Sequence, residues 1–137
     1  GLCGPFRRDA ASHDSSYCGL FRTPSLRNAA IRRVFFHNGE FHSLREVLVF
    51  YVERDTNPEK WYPRGADGRI EKFDDLPPQY RANVDTIDAP LNRRRGEAPG
   101  WDEHQIDDVL AFLRTLVDQD AVRREASGKP PLRAPTH

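Results

Sequence analysis

Apolar side chains recur at helical spacing over two stretches of the chain, and the first stretch follows Ser43. They fall at i, i+3, i+4 and i+7, and they are Leu44, Val47, Leu48 and Tyr51. Ser43 and Glu46 have the spacing of a capping box. The pattern predicts a helix that buries Tyr51 along its apolar face and ends near Glu53-Arg54.

The second stretch begins at Asp102, the predicted N-cap of a helix with Gln105 at its third position. A continuous apolar stripe follows, made of Ile106, Val109, Leu110, Leu113, Leu116 and Val117. The pattern predicts a helix that runs to about Asp118. Beyond Gln119 the chain carries several arginines and prolines, so residues 121–137 are predicted to be a disordered tail.

Irregular chain is predicted around these helices, over residues 1–20, 55–76 and 85–100. Between the last two segments, Pro77-Pro78 opens a short helical turn that extends through Val84. The segment 85–100 carries a basic cluster, Arg93-Arg94-Arg95. Two helices with so much loop make a thin core, and long loops in a compact domain require a cause. A large apolar cofactor, which would supply core that the chain lacks, is one such cause.

Length and charge narrow the class of protein. The chain has 137 residues, enough for one domain but few for two. Lysine plus arginine equals aspartate plus glutamate at 21 each, so net charge gives no argument for nucleic acid or a membrane surface as partner. No apolar run approaches the roughly 18 residues of a membrane span. The sequence shows no methionine and no signal peptide, and we interpret it as a processed or truncated piece of a longer protein.

Cys3 and Cys18 are the two cysteines of the sequence. Their spacing is too wide for a Cys-x-x-Cys redox pair, and without a nearby pair of histidines they make a poor zinc site. A disulfide between them would close a loop of about 15 residues and stabilise the fold by roughly 3 kcal/mol. It would imply an oxidising compartment. The alternative is a pair of free thiols.

A proline-anchored run, Phe-Arg-Thr-Pro-Ser-Leu-Arg-Asn, occupies residues 21–28, and His37-Asn38-Gly39 follows nine residues later. This order resembles the C-terminal haem domain of the bacterial di-haem cytochrome c peroxidase/MauG family, in which F-x-T-P-S/T-L-R-N precedes Y/F-x-H-D/N-G and a helix. The resemblance is close over residues 20–54 and looser to about residue 120. The Cys-x-x-Cys-His motif that the family requires does not occur in this sequence.

The resemblance implies a mainly α, cytochrome c-like haem domain with a few helices and long irregular loops. Residues 21–120 would form the C-terminal part of that domain, and residues 1–20 an irregular segment before it. Haem c would be attached upstream of this chain, which would wrap the electron-transfer haem. The family resemblance also implies a periplasmic location, with which a disulfide would agree.

Tyr51 is the candidate ligand of that haem. Its position matches the distal axial ligand of the C-terminal haem, which is methionine in the peroxidases of the family and tyrosine in MauG-like members. Because the sequence has no methionine, a methionine-ligated haem is excluded for this segment. An anionic phenolate oxygen stabilises an oxidised metal more than a thioether does. The alternative is a core tyrosine with a satisfied hydroxyl.

Two further residues are candidate haem contacts. A guanidinium such as that of Arg27 can make a bidentate contact with a haem propionate, although a structural ion pair would explain Arg27 equally well. His37 lies in a turn with positive φ expected at Asn38, Gly39 or both. It would hydrogen-bond toward a propionate or the partner domain, or it would lock the loop.

The family resemblance also implies a calcium ion between the two haem domains, bound partly by backbone carbonyls. The matching positions in this chain are Arg32 and Val34. The family usually has threonine and proline there. Backbone carbonyls tolerate a change of side chain, but the neighbouring arginines would repel a cation. The sequence therefore leaves open whether a calcium ion binds at these two positions.

Two functions remain open from the sequence. The first is a periplasmic di-haem oxidoreductase that uses hydrogen peroxide, with the upstream haem-bearing part of the same protein and a small redox protein as partners. The redox protein would serve as electron donor or substrate, and this chain alone would be inactive because it lacks the thioether attachment and the proximal ligand. The second is a haem-free partner-binding or structural domain without enzymatic activity. Neither function involves nucleic acid or a membrane span.

Overall fold

The computed structural model describes residues 23–74 and 76–127. Three α-helices lie within them, and they are α1 (Leu44–Glu53), α2 (Glu103–Thr115) and α3 (Gln119–Ala126). Three short 3-10 helices span Ala29–Ile31, Pro58–Lys60 and Pro78–Asn83. Extended pairing in the described residues is limited to two isolated bridges, Phe35 with Phe41 and Arg64 with Ile70. The predicted mainly α architecture with long irregular loops is confirmed.

The core lies where α1 packs against α2. Its buried side chains are Leu48, Val52, Ile106 and Leu110. Leu44, Val49, Trp101 and Val109 are partly buried around them. On each helix the buried residues are four positions apart. Rows of side chains with this spacing are the ones that most often interlock when two helices pack. The loops outside this small core depend on other contacts, which are polar networks and aromatic packing.

The start and end of α1 agree with the prediction, but its buried face does not. The helix buries Val47, Leu48 and Val52, whereas Tyr51 is exposed. Leu44, Leu48 and Val52 form one row against α2, and Tyr51 lies beside that row on the surface. The predicted burial of Tyr51 in the helical face is therefore wrong, because packing against α2 selects the neighbouring row.

The predicted capping box at the start of α1 is also wrong. Ser43 has extended backbone angles, but its side chain makes no capping hydrogen bond. In the first turn, Arg45 donates to Glu103 at 2.6 Å and also pairs with Asp107. Both carboxylates belong to α2, so ion pairs to α2 hold the first turn of α1 where its own cap does not.

The predicted capping box of α2 is confirmed. The Gln105 amide donates to Asp102 Oδ1 at 2.8 Å, and the Asp102 amide donates to Gln105 Oε1 at 3.0 Å. Two backbone donors that the helix leaves unpaired are satisfied in this way. The helix ends at Thr115, three residues before the predicted Asp118.

Substitution of Asp102 by alanine is expected to lower the free energy of unfolding by about 1 kcal/mol. The Gln105 amide would lose its acceptor while the buried face of α2 stays intact. Guanidinium unfolding of the full-length gene product, followed by circular dichroism, measures the effect. Asp102→Asn keeps an acceptor oxygen and serves as the control with little change. Equal stability of the alanine and asparagine variants would contradict this role of the cap.

The chain is helical where a disordered tail was predicted to begin. Helix α3 covers Gln119–Ala126, so the prediction of disorder is wrong for residues 121–126. The Asp118 carbonyl accepts the amides of Ala121 and Val122 at 3.0 and 3.2 Å, which starts the helix. Asp118 itself is held by the loop before α1, a contact between distant segments that the pattern of α3 alone does not reveal.

Several predictions fall on residues that the structure does not describe. They are the irregular segment 1–20, the disulfide between Cys3 and Cys18, and the tail from residue 128 onward. In the part of the chain that is described, every helix is too short or too polar to cross a membrane.

Candidate functional site

A cluster of aromatic rings lies between α1 and the loops on either side of it. Its members are Phe36, Phe41, Phe50, Tyr51, Trp61, Tyr62 and Phe73. Neighbouring rings meet mostly edge to face, with centroids 5.1 to 6.5 Å apart, as aromatic pairs prefer. The cluster joins the loop before α1 to the loop that follows it.

Two rings form the outer edge of this cluster. Tyr51 is 40% exposed and Phe36 is 37% exposed, and their ring centroids lie 5.9 Å apart. We call this pair the aromatic face. Within the described residues the Tyr51 hydroxyl makes no hydrogen bond. The face therefore combines apolar ring surface with one accessible donor oxygen.

A tight turn in front of α1 presents Phe36 at this edge. The Phe35 amide donates to the Phe41 carbonyl at 2.9 Å, which closes the turn. Within it Phe36 has φ of 60° and Gly39 has φ of 74°. The positive φ predicted for the His37-Asn38-Gly39 turn is thus confirmed at Gly39. A Cβ at Gly39 would lie 3.2 Å from Val34 Cγ1, so a larger residue there would be crowded as well as strained.

The run Leu26-Arg27-Asn28 docks onto the end of α2. Asn28 has φ of 61°, and its amide donates to the Leu116 carbonyl at 3.1 Å. The Asp118 amide donates to Asn28 Oδ1 at 2.8 Å. Arg27 Nη1 donates to Asp118 Oδ1, also at 2.8 Å. Of the two roles considered for Arg27, the described chain therefore shows the structural ion pair, and the propionate contact stays a prediction.

A buried ionic network lies directly behind the aromatic cluster, and the sequence pattern does not predict it. Arg54 and Asp55 are only 6% and 8% exposed, and Arg54 Nη2 lies 2.6 Å from Asp55 Oδ2. Lys72 also pairs with Asp55. The guanidinium carbon of Arg54 and the ammonium of Lys72 each lie 5.3 Å from the Phe73 ring centre. These contacts fix the loop after α1 to the cluster.

The same network reaches the loop at Asp85. Arg54 Nη2 donates to the Asp85 carbonyl at 2.6 Å. The Asp85 carboxylate accepts the amides of Asp88 and Ile87, at 3.0 and 2.9 Å. These two amides, with Arg54 as a further positive charge, hold the pKa of Asp85 below its usual value. The turn therefore keeps a charged carboxylate close to Arg54.

The chain is similar in sequence to two proteins of known name. No family model matches the chain. It is 29% identical over 113 residues to methylamine utilization protein MauG of Paracoccus denitrificans, a match that covers 77% of this chain and 25% of that protein. It is 58% identical over 33 residues to cytochrome-c peroxidase IdrP1 of a Pseudomonas species, which covers 24% of this chain and 9% of that protein.

Solved structures of a diheme peroxidase are also similar to this chain. The diheme peroxidase BthA of Burkholderia thailandensis is 45% identical, with a TM-score of 0.68 over 78% of this chain and 25% of that one. A variant of the same peroxidase with tyrosine replaced by methionine is 44% identical, with the same TM-score. The chain belongs to the di-haem cytochrome c peroxidase/MauG family. The cytochrome c-like, mainly α fold that the motifs implied is consistent with this match. The chain spans about a quarter of the length of MauG and of the diheme peroxidase.

The other candidate residues of this family segment lie on the loop before α1. His37 is exposed in the turn beside Phe36, and the calcium candidates Arg32 and Val34 are exposed as well. The described residues hold no group of three or more His, Cys, Asp or Glu side chains suited to a metal ion. A site made of backbone carbonyls would not depend on such a group. The roles of His37, Arg32 and Val34 stay predictions.

Substitution of Arg27 by glutamine is expected to change the free energy of unfolding by less than about 1 kcal/mol, because the pair with Asp118 is largely exposed. Guanidinium unfolding of the full-length gene product measures this. Asn28→Ala is the comparison, and it should cost more because it removes the two side-chain hydrogen bonds that join Asn28 to Asp118. A clear shift in the reduction potential of one haem in Arg27→Gln would instead support the propionate contact.

Proposed function

We propose that this chain forms the haem-facing C-terminal part of a periplasmic di-haem oxidoreductase that uses hydrogen peroxide. The observation that carries the proposal is the aromatic face, where an exposed tyrosine hydroxyl lies at the edge of an exposed ring surface. Soluble proteins leave large apolar side chains in clusters on the surface mainly where something covers them. Proteins of the family to which the chain belongs contain haem, and a haem would cover the aromatic face.

The residues present fit a haem. Tyr51 offers an oxygen donor suited to iron, and Phe36 offers an aromatic surface next to it. Behind them, Trp61 Nε1 is buried and has no hydrogen-bond partner among the described residues. Because buried donors are nearly always paired, this cluster is expected to be completed by atoms beyond those described. A bound haem supplies the redox chemistry, and the chain supplies the ligand and its surroundings.

The roles of the chain's own residues follow from their contacts. Tyr51 would donate its phenolate oxygen to the iron. Phe36 and Phe50 both pack against the Tyr51 ring, with centroids 5.9 and 6.1 Å away. The rings would also exclude water from the ligand. The position of Tyr51 is fixed by α1, which Leu48 and Val52 anchor in the core.

The finer parts of the proposal come from the family resemblance. The haem would be a haem c attached in the upstream part of the same protein, and Arg27 and His37 would face its propionates. Calcium would bind the carbonyls of Arg32 and Val34 between the two haem domains. A small redox protein would be the electron donor or the substrate. A disulfide between Cys3 and Cys18 would agree with a periplasmic location.

The proposal is tested by periplasmic expression of the full-length gene product, with a reduced pyridine haemochrome to count haems and an assay of peroxide consumption. We expect two covalent haems and turnover with a reduced electron donor. Residues 1–137 expressed alone should show no turnover. A full-length protein without a Soret band, made in cells with competent haem-attachment machinery, would reject the proposal and favour a haem-free binding domain.

A further inference from the structure

We propose that the loops after α1 form a second binding site, for a small anion that carries two or more phosphate or carboxylate groups. A cavity of about 550 Å³ lies between the loop 64–72 and the loop 93–95. Its cationic lining consists of Arg64, Arg69, Lys72, Arg93, Arg94 and Arg95. It shares no residue with the aromatic cluster, so the proposal does not depend on the haem site. We call this cavity the basic pocket.

The positive charge of the basic pocket is only partly neutralised. Among the described residues, Asp55 is the one acidic residue in its lining, and it is already held by the buried Arg54 and by Lys72. Arg95 pairs with Glu59. Within the described residues, the side chains of Arg93 and Arg94 make no ion pair. Uncompensated cations in a concave surface raise the local concentration of anions.

Three acidic residues near the rim, Glu59, Glu97 and Asp67, are already held by other partners. Glu59 is held by its own amide and then by Arg95 and Arg64, which keep its pKa below the usual carboxyl value. Glu97 accepts the Arg94 amide at 2.8 Å, so its carboxylate caps the backbone of the loop. Asp67 lies 3.6 Å from Arg69 in an exposed pair, which water screens strongly.

The backbone that carries the arginines is fixed on both sides of the basic pocket. On one side, the Gly96 amide donates to the Thr56 carbonyl at 2.9 Å, which ties the loop 93–95 to the end of α1. On the other side, the Gly65 amide donates to the Arg69 carbonyl at 2.8 Å, and the Glu71 amide donates to the Pro63 carbonyl at 3.0 Å. Two loops distant in sequence therefore present guanidinium groups to the same space.

The chemistry of the lining selects the ligand. A guanidinium group contacts phosphate or carboxylate through two parallel hydrogen bonds, and each such charge-assisted bond is stronger than a neutral one. A water molecule takes about 30 Å³ of liquid, so a cavity of this size has room for far more than one phosphate group. The basic pocket is therefore suited to an anion with several charged groups, such as a diphosphate or a tricarboxylate.

Isothermal titration of the full-length, haem-containing protein tests this inference, with pyrophosphate, citrate and orthophosphate as probes at low ionic strength. We expect binding of pyrophosphate or citrate, and the stronger of the two shows whether the natural ligand carries phosphate or carboxylate groups. Orthophosphate should bind more weakly than either. The double variant Arg93→Gln/Arg94→Gln should weaken binding at least about 100-fold, since each lost charge-assisted contact is worth roughly tenfold.

Arg123→Gln provides a control for charge removed elsewhere on the surface, because it removes one positive charge from the exposed α3. It should leave binding within about twofold, and the haem absorption of all variants should match that of the wild type. No binding of either multivalent anion by the wild type would overturn the inference. So would the same weakening per charge removed in the double variant and in Arg123→Gln, which would indicate only a general effect of net charge. Both outcomes leave the haem count untouched, so they are separable from failure of the proposed function.

Discussion

Replacement of Tyr51 by phenylalanine is expected to change the absorption and electron paramagnetic resonance spectra of one haem in the full-length protein and to leave the other haem unchanged. The substitution removes one oxygen and keeps the ring. The packing against Phe36 and Phe50 is therefore retained, and the fold of α1 should persist. An iron that loses an anionic oxygen ligand should also gain a higher reduction potential, because the oxidised state loses its stabilisation.

Two companion variants sharpen this experiment. Tyr80→Phe removes a hydroxyl from a half-buried tyrosine in the 3-10 helix Pro78–Asn83, which is not part of the aromatic cluster, and should leave both haem spectra unchanged. Tyr51→Met places a thioether at the same position and should produce a spectrum distinct from those of both the wild type and Tyr51→Phe. Unchanged spectra in Tyr51→Phe would show that Tyr51 is not a ligand. Parallel changes in both haems would indicate a general disturbance of the fold.

The second large effect is expected from Asp55→Ala, which should lower the free energy of unfolding by about 3–5 kcal/mol. Asp55 is the partner of two cations, Arg54 and Lys72, and Arg54 is almost fully buried. Without the carboxylate, the Arg54 guanidinium would keep the cost of burial and lose its ion pair. The loop that carries Phe73 and Lys72 would lose its attachment to α1 at the same time.

Guanidinium unfolding of the full-length protein, followed by circular dichroism and tryptophan fluorescence, measures this loss. Asp120→Ala is the control, because Asp120 is highly exposed and lies 3.9 Å from its partner Arg123. That variant should change the free energy of unfolding by less than about 1 kcal/mol. Comparable losses in the two variants would contradict the structural role of the buried network.

The parts of the fold that could be predicted from sequence are those decided by neighbouring residues. The cap at Asp102 and the stripe through Leu113 specify α2, since both depend on contacts within one helix. The end of the helix does not follow from these signals, because Asn28 binds the Leu116 carbonyl from a distant segment. The buried face of α1 was predicted wrongly for a similar reason, because α2 decides which row of side chains is covered.

The same distinction applies to the candidate site, where a local motif could be recognised and contacts between distant residues could not. Tyr51 could be singled out because its motif lies within one short stretch that resembles the family. The buried network could not, because Lys72 is 17 positions from Asp55 in the sequence. The basic pocket depends on pairs more distant still, such as Arg95 with Glu59, which are 36 positions apart. No local pattern shows that a charged pair will be buried or that two loops will converge.

The proposed function requires that a haem covers the aromatic face and that Tyr51 is its ligand. A crystal structure of the full-length, haem-containing protein tests it through one distance, that between Tyr51 Oη and the nearest iron. We expect this oxygen to lie within bonding distance of the iron and the porphyrin to cover Phe36. An aromatic face covered only by protein side chains, with both irons bound elsewhere, would contradict it.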